Sequence, residues 1–177
     1  MSSNPSTKHK LFISYYHKDD EKYRNDFEEC FGYLFINRCV KEGDIDTDNS
    51  DEYIKRLIRE EYITDSSVIV VLVGAKTYCR KHVDWEIYAG LIKSGGYSGL
   101  LGLLLPTYPG YAKNEYDPKT VPPRLLANVD SEYASIYQYT RDESQIKKYI
   151  QWAFKRREHK KHLIDNSLLQ FQKNRCD

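Results

Sequence analysis

Hydrophobic positions along this chain alternate between short unbroken runs and stripes of helical spacing. Val68 to Val73 is continuous, apolar and largely β-branched, bounded by Ser66-Ser67 and Gly74. It is too short for a helix and suits a parallel strand buried on both faces. A polar linker follows, then a helical pattern: Val83, Ile87 and Leu91 with Tyr88 and Ile92, ending at Gly95-Gly96. Early in that helix, beside Trp85, stands Glu86. Ligands of open α/β sheets bind outside the carboxyl ends of the strands. This strand–loop–helix unit therefore carries an acid to that edge.

The flanking pattern is of the same kind. Residues 1–9 are polar and read as a flexible tail, and Leu11 to Tyr15 as a first strand. Asp19, Asp20 and Glu21 open a helix whose stripe is Tyr23, Phe27, Cys30, Phe31 and Leu34. A short edge strand near Arg38–Val40 and an acidic loop lead to a helix capped by Asn49 or Ser50, with Ile54, Leu57, Ile58 and Tyr62 inward. Leu100 to Leu105 is the next buried strand. Residues 107–126 are rich in Pro, Gly and Tyr and read as a long surface loop, with one helical turn at Pro123–Leu126. Ala134 to Tyr137 is a last strand. Asp142 or Ser144 starts a helix with Ile146, Tyr149, Ile150, Ala153 and Phe154 inward, and a helical extension is expected over 161–177. Strands alternating with helices mean a small, mostly parallel central sheet between two helical layers, a flavodoxin-like three-layer sandwich.

Composition narrows the function. With 177 residues the chain supports one domain with a real core, here 10–160. A formal charge of +1, from 27 basic and 26 acidic residues, favours neither nucleic acid nor a membrane surface. No apolar run approaches the ~20 residues that span a bilayer, and no signal-peptide character follows the polar N-terminus. Cys30, Cys39, Cys79 and Cys176 form no CxxC pair and have no metal-like spacing. Two of them lie in apolar surroundings, which fits reduced thiols in a cytoplasm.

Several chemistries are excluded. There is no GxGxxG, no GxxxxGK[ST] and no GxSxG. The central strand ends Leu72-Val73-Gly74, without the acid that a phosphate-accepting receiver needs. His159 and His162 could share a metal, but Lys155, Arg156, Arg157, Lys160 and Lys161 would repel it, so this is a solvated helix face. The acidic residues from Asp44 to Asp51 lack the Gly and Glu positions of a calcium loop. No metal or other cofactor is implied.

The segment LFISYYHKDD resembles the first box of TIR domains, and TYCRKHVDWEIYAGL is similar to the TIR helix that carries the catalytic glutamate of NAD-cleaving members. DNSDEYIKRLIREEYI and PPRLLANVDSEYASIY resemble more specifically the TIR-like domain family of the bacterial Thoeris antiphage protein ThsB. The resemblance covers roughly residues 10 to 155. It implies NAD⁺ glycohydrolase or ADP-ribosyl-cyclase chemistry with Glu86 as the catalytic acid, and places Phe12, Ser14 and Tyr16 near the substrate. NAD⁺ is then a substrate, and an effector protein is reached through a diffusible nucleotide; self-association is also expected. Two further residues suggest themselves from the chain alone: His82, one turn before Glu86 on the same face, and Asp46 in the acidic loop.

The implied chemistry is physically economical. Cleaving the nicotinamide–ribose bond passes through an oxocarbenium-like state, as glycoside hydrolysis does. Nicotinamide leaves neutral and needs no protonation, so one carboxylate suffices. Two departures from the wider family stand out. His82 occupies the place of an aromatic, and no Arg-Asp-x-x-Pro-Gly pattern follows the second strand. The rival expectations are a non-catalytic interaction module and a plain NAD⁺ hydrolase acting by depletion. Residues 106–125 are the expected gate deciding which nucleophile reaches the ribose.

Overall fold

The computed structural model describes residues 8–38, 46, 48–92 and 96–176. Five parallel strands lie in the order β2-β1-β3-β4-β5. They are β1 (Lys10–Ser14), β2 (Ile36–Arg38), β3 (Val68–Val73), β4 (Gly99–Leu104) and β5 (Ser135–Gln138). All residues of β3 and β4 are buried, as central strands covered on both faces must be. The helices are α1 (His17–Phe31), α2 (Asp51–Leu57), α3 (Lys81–Gly90), α4 (Pro123–Asp130) and α5 (Glu143–His159). The fold is the flavodoxin-like α/β sandwich expected from the alternation of runs and stripes.

Period-2 alternation along β1 and β3 divides the core. Phe12, Ile69, Val71 and Val73 face α2, α3 and α4, packing with Ile54, Ile58, Val83 and Leu125. Leu11, Ile13, Val68, Val70 and Leu72 face α1 and α5, meeting Phe27, Phe31, Ile146 and Ile150. Each fully buried aliphatic side chain contributes about 1.5–3 kcal/mol relative to exposure. Side-chain caps set two helix starts: Ser50 Oγ accepts from Tyr53 N–H at 3.3 Å, and Asp142 Oδ1 from Gln145 N–H at 3.0 Å. At Gly99 a Cβ would stand 2.3 Å from the Ala153 carbonyl oxygen, so α5 lies against bare backbone at the start of β4.

The structure differs from the sequence pattern in several places. Helix α2 continues past Leu57 as a π segment, Ile58–Ile63. Helix α3 ends at Gly90, where Leu91 N–H turns back to the Tyr88 carbonyl at 3.1 Å and Ser98 N–H takes the Gly90 carbonyl at 3.0 Å. Ile92 is consequently 41% exposed rather than inward. The expected turn at Pro123–Leu126 is a full helix, because Arg124, Leu125 and Asn128 bury one face. The last two positions of the expected strand near Arg38–Val40, most of the acidic loop and the stop at Gly95 lie outside the described residues.

Two expectations need correction. In place of a helical extension, residues after α5 make one 3-10 turn, Lys161–Leu163, and then run as an irregular strap to residue 176. Two of its backbone N–H groups, those of Asp165 and Phe171, donate to side chains of α4 and α3 instead of closing helical turns. The strap also brings Cys176 to Cys79, and the two form a disulfide with Cα atoms 5.6 Å apart, so these two are not reduced thiols here. Replacing Gly99 with Ala should force α5 off β4 and lower the unfolding free energy by roughly 1–3 kcal/mol, read as a reduced urea midpoint at unchanged slope.

Candidate active site

Glu86 lies in the second turn of α3, which β3 and a 3-10 turn at Thr77–Cys79 deliver to the carboxyl end of the sheet. Strand β1, whose last residue is Ser14, pairs with β3 on one side and β2 on the other. Chain order reverses there, the switch point at which doubly wound sheets open a crevice. Ser14 Oγ–H donates to Glu86 Oε2. The glutamate is only 5% exposed and Ser14 is fully buried. Burial pushes the Glu86 carboxyl up to about 8, against the opposing effect of the Ser14 hydrogen bond. Near neutral pH the group is mostly an uncharged acid.

The other expected residues take different positions. Tyr16 is half-buried just beyond β1, and the Arg80 guanidinium lies 3.8 Å from its ring centroid. His82 leans against Trp85, ring centroids 5.2 Å apart, and burial, helped by the charges of Lys81 and His17, holds its pKa below the ordinary histidine value. Phe12 is fully buried and packs in the core on the α3 side, so it presents no surface to a ligand. Asp46 is exposed, and among the described residues its hydrogen bonds stay within its own turn, to Asp48 and Asn49. The geometry thus joins Glu86 to Ser14 and sets Tyr16 and His82 near the same helix start, while Phe12 serves packing.

Three features were missed. Asp84, one residue from Trp85, is buried and receives Arg124 in a two-pronged pair, Nε–Oδ1 2.9 Å and NH2–Oδ2 3.3 Å, with Arg124 itself 0% exposed. The strap completes this knot. Phe171 N–H donates to Asp84 Oδ2 at 2.9 Å, Trp85 Nε1–H to the Phe171 carbonyl at 2.7 Å, and Arg124 NH1 to Asn166 Oδ1 at 2.9 Å. The third feature is Asp20. Buried in the first turn of α1, it accepts from Thr107 Oγ1 at 3.0 Å, and burial raises its pKa. A Cβ on Gly74 would fall 2.2 Å from its Oδ2, so that carboxylate needs a glycine at the end of β3. An arginine inside the apolar PPRLL run was the available signal for the first feature; the strap had none.

The long loop after β4 is folded on itself. Tyr108 OH lies 2.7 Å from Thr120 Oγ1 and accepts from Asp117 N–H at 2.9 Å. A groove of about 650 Å³ runs between α2 and α3, lined by Tyr53, Lys55, Arg56, Trp85, Tyr88 and Gln170 among others. Neither Glu86 nor Ser14 lines it. Glu86, at 5% exposed, is nearly buried beside it.

A flavodoxin-like, all-parallel sheet in this order, with helices on both faces, is the architecture of a TIR-like domain. A profile of the family described as Thoeris protein ThsB, TIR-like domain, matches residues 12–108, more than half of the chain, and the chain belongs to that family. No curated protein matches the chain.

The raised pKa of Glu86 has a consequence for stability. Because its folded-state value lies above the ordinary 4.5, the folded chain binds more protons than the unfolded one between about 4.5 and 8. That stabilising contribution is complete below 4.5 and is lost as pH rises through 8. It amounts to several kcal/mol, since each tenfold difference in proton affinity between the two states is worth about 1.4 kcal/mol. Glu86→Gln should remove this dependence. Urea unfolding at pH 5, 7 and 9 should show the variant gaining on the wild type as pH rises; parallel pH dependences would contradict the assignment.

Proposed function

We propose that this chain is an enzyme of antiphage defence that cleaves the nicotinamide–ribose bond of NAD⁺ and makes an ADP-ribose-derived signal, cyclic or conjugated, for a separate effector. The observation that carries the reading is Glu86, a buried carboxyl held by Ser14 at the sheet's switch point, in a chain of the Thoeris ThsB family.

The chemistry follows from that placement. A cationic nicotinamide riboside moiety beside the carboxyl favours its ionised form, shifting its proton to solvent. The carboxylate then accepts hydrogen bonds from ribose hydroxyls and stabilises the positive charge that develops as the bond to nicotinamide breaks. Nicotinamide takes the bonding electron pair and leaves neutral. A hydroxyl or ring nitrogen of the same or a second nucleotide then completes a cyclic or conjugated product, provided water is kept out. Glu86 is nearly closed to solvent, so substrate must displace part of the wall, and the Tyr16–Arg80 stack at the start of the same helix is the piece this reading assigns to that movement. Activity that waits for an infection cue is consistent with such a closed site.

The proposed location is the cytoplasm, where NAD⁺ is found. Among the described residues no helix is long and apolar enough to cross a membrane. The proposal involves neither nucleic acid nor a membrane as partner, and NAD⁺ serves as substrate with no added cofactor. Self-association remains part of the proposal through the family alone.

One observation favours a second reading. A carboxyl this well buried and already hydrogen-bonded can be a structural group of a non-catalytic interaction module. Nucleotide profiles of infected cells separate the readings. Cells with the wild type should accumulate an ADP-ribose-derived nucleotide absent from cells with Glu86→Gln at equal protein level. The same nucleotide pool in both would sink the enzyme reading. Free ADP-ribose with falling NAD⁺ would instead identify a depleting hydrolase.

A further inference from the structure

The strap that crosses α3 carries Cys176, and its attachment there is out of proportion to its lack of regular structure. Arg175 N–H donates to the Cys79 carbonyl at 2.9 Å, and Lys81 N–H, at the start of α3, donates to Asn174 Oδ1 at 3.0 Å. The Arg175 guanidinium stacks over Phe171 at 3.6 Å. The Cys79–Cys176 disulfide then joins positions 97 residues apart in the chain. Cys79 is fully buried in the 3-10 turn that launches α3, whereas Cys176 is partly exposed. Between them stands Arg80, whose NH2 lies 3.8 Å from the Cys176 sulfur and whose guanidinium covers Tyr16.

We propose that Cys79 and Cys176 form a reversible redox modification site, a clasp that fastens the C-terminal strap over α3 when oxidised and releases it when reduced. The arrangement supplies each part such a clasp needs. Cys176 is the accessible sulfur, with the Arg80 guanidinium 3.8 Å from it in the closed state. Cys79 is reached only when the strap is docked, so it is the resolving thiol. With glutathione disulfide as oxidant, the Cys176 thiolate attacks one glutathione sulfur, forming a mixed disulfide and expelling a glutathione thiolate. Cys79, after losing its proton to solvent, attacks the Cys176 sulfur and expels the second glutathione. Two protein thiols and one glutathione disulfide thus become one protein disulfide and two glutathiones. Excess reduced glutathione runs the exchange backward. In a reducing compartment the clasp rests open and closes under oxidative conditions. The state of this clasp bears directly on the site, because residues 79 and 80 are the last before α3 and Arg80 forms the lip over Tyr16.

The inference does not depend on the NAD⁺ reading, and its test does not use activity. Purified full-length chain is equilibrated over a series of ratios of reduced to oxidised glutathione, alkylated and weighed, with amide exchange of the segment 169–176 followed in parallel. Cys79 and Cys176 should become protected from alkylation together, while Cys30 stays alkylated at the same ratios. Exchange of the Phe171 and Arg175 amides should slow at least tenfold on closure, and Cys176→Ser should exchange like the reduced chain at every ratio. The proposal is overturned if Cys79 and Cys176 remain alkylated at the oxidising limit. It is equally overturned if wild-type exchange is the same in both states, a comparison that holds even if the variant folds poorly.

Discussion

The buried pair of Asp84 and Arg124 is the constraint on which the site end of the molecule depends. A charge removed from water costs several kcal/mol unless paired and hydrogen-bonded, so neither residue can be placed there alone. Together they tie three segments that share no regular hydrogen bonding: α3, α4 and the irregular strap. The pair holds α3 to α4 and the strap, while Val83 and Ile87 pack it into the core. Glu86 stands two residues beyond the anchored Asp84 and inherits that placement.

Glu86 itself works against the fold. Its burial holds the carboxyl as an uncharged acid near neutrality, and the more alkaline the medium, the more it costs to keep it there. A glutamine would do the packing without that cost. Strain of this kind is tolerated when the group has a task, and the cation-stabilising task proposed for it would use it well: an arriving positive charge would restore the carboxylate in a dry site, where it acts most strongly.

Much of this was legible in the order of residues, and the rest fails for identifiable reasons. Four of the five strands and the two long helices, α1 and α5, follow from run length and period, because burying both faces of β3 and β4 demands continuous apolar residues, whereas the edge strand β2 begins at Ile36, ahead of the expected Arg38. The arrival of Glu86 at a strand edge follows from the same pattern. Helix ends were less legible: α3 stops at Gly90 because Ser98 captures its carbonyl, a contact made across the fold. Phe12 and Ser14 share one face of their strand by period-2 alternation, and both are fully buried on the α3 side. Arg124 and Asp84 each look like a surface charge until the partner 40 residues away is known. The strap carries no hydrophobic period at all, and a cysteine pair 97 residues apart has no local signature.

The central claim is that this chain breaks the bond between nicotinamide and ribose and that Glu86 is the group responsible. The most direct measurement follows that bond itself, using NAD⁺ labelled in the nicotinamide ring and added to lysates of infected cells. Lysates containing the wild type should release labelled nicotinamide above the background of cells lacking the chain, and lysates containing Glu86→Gln, folded and equally abundant, should not. Equal release from the two would contradict the account.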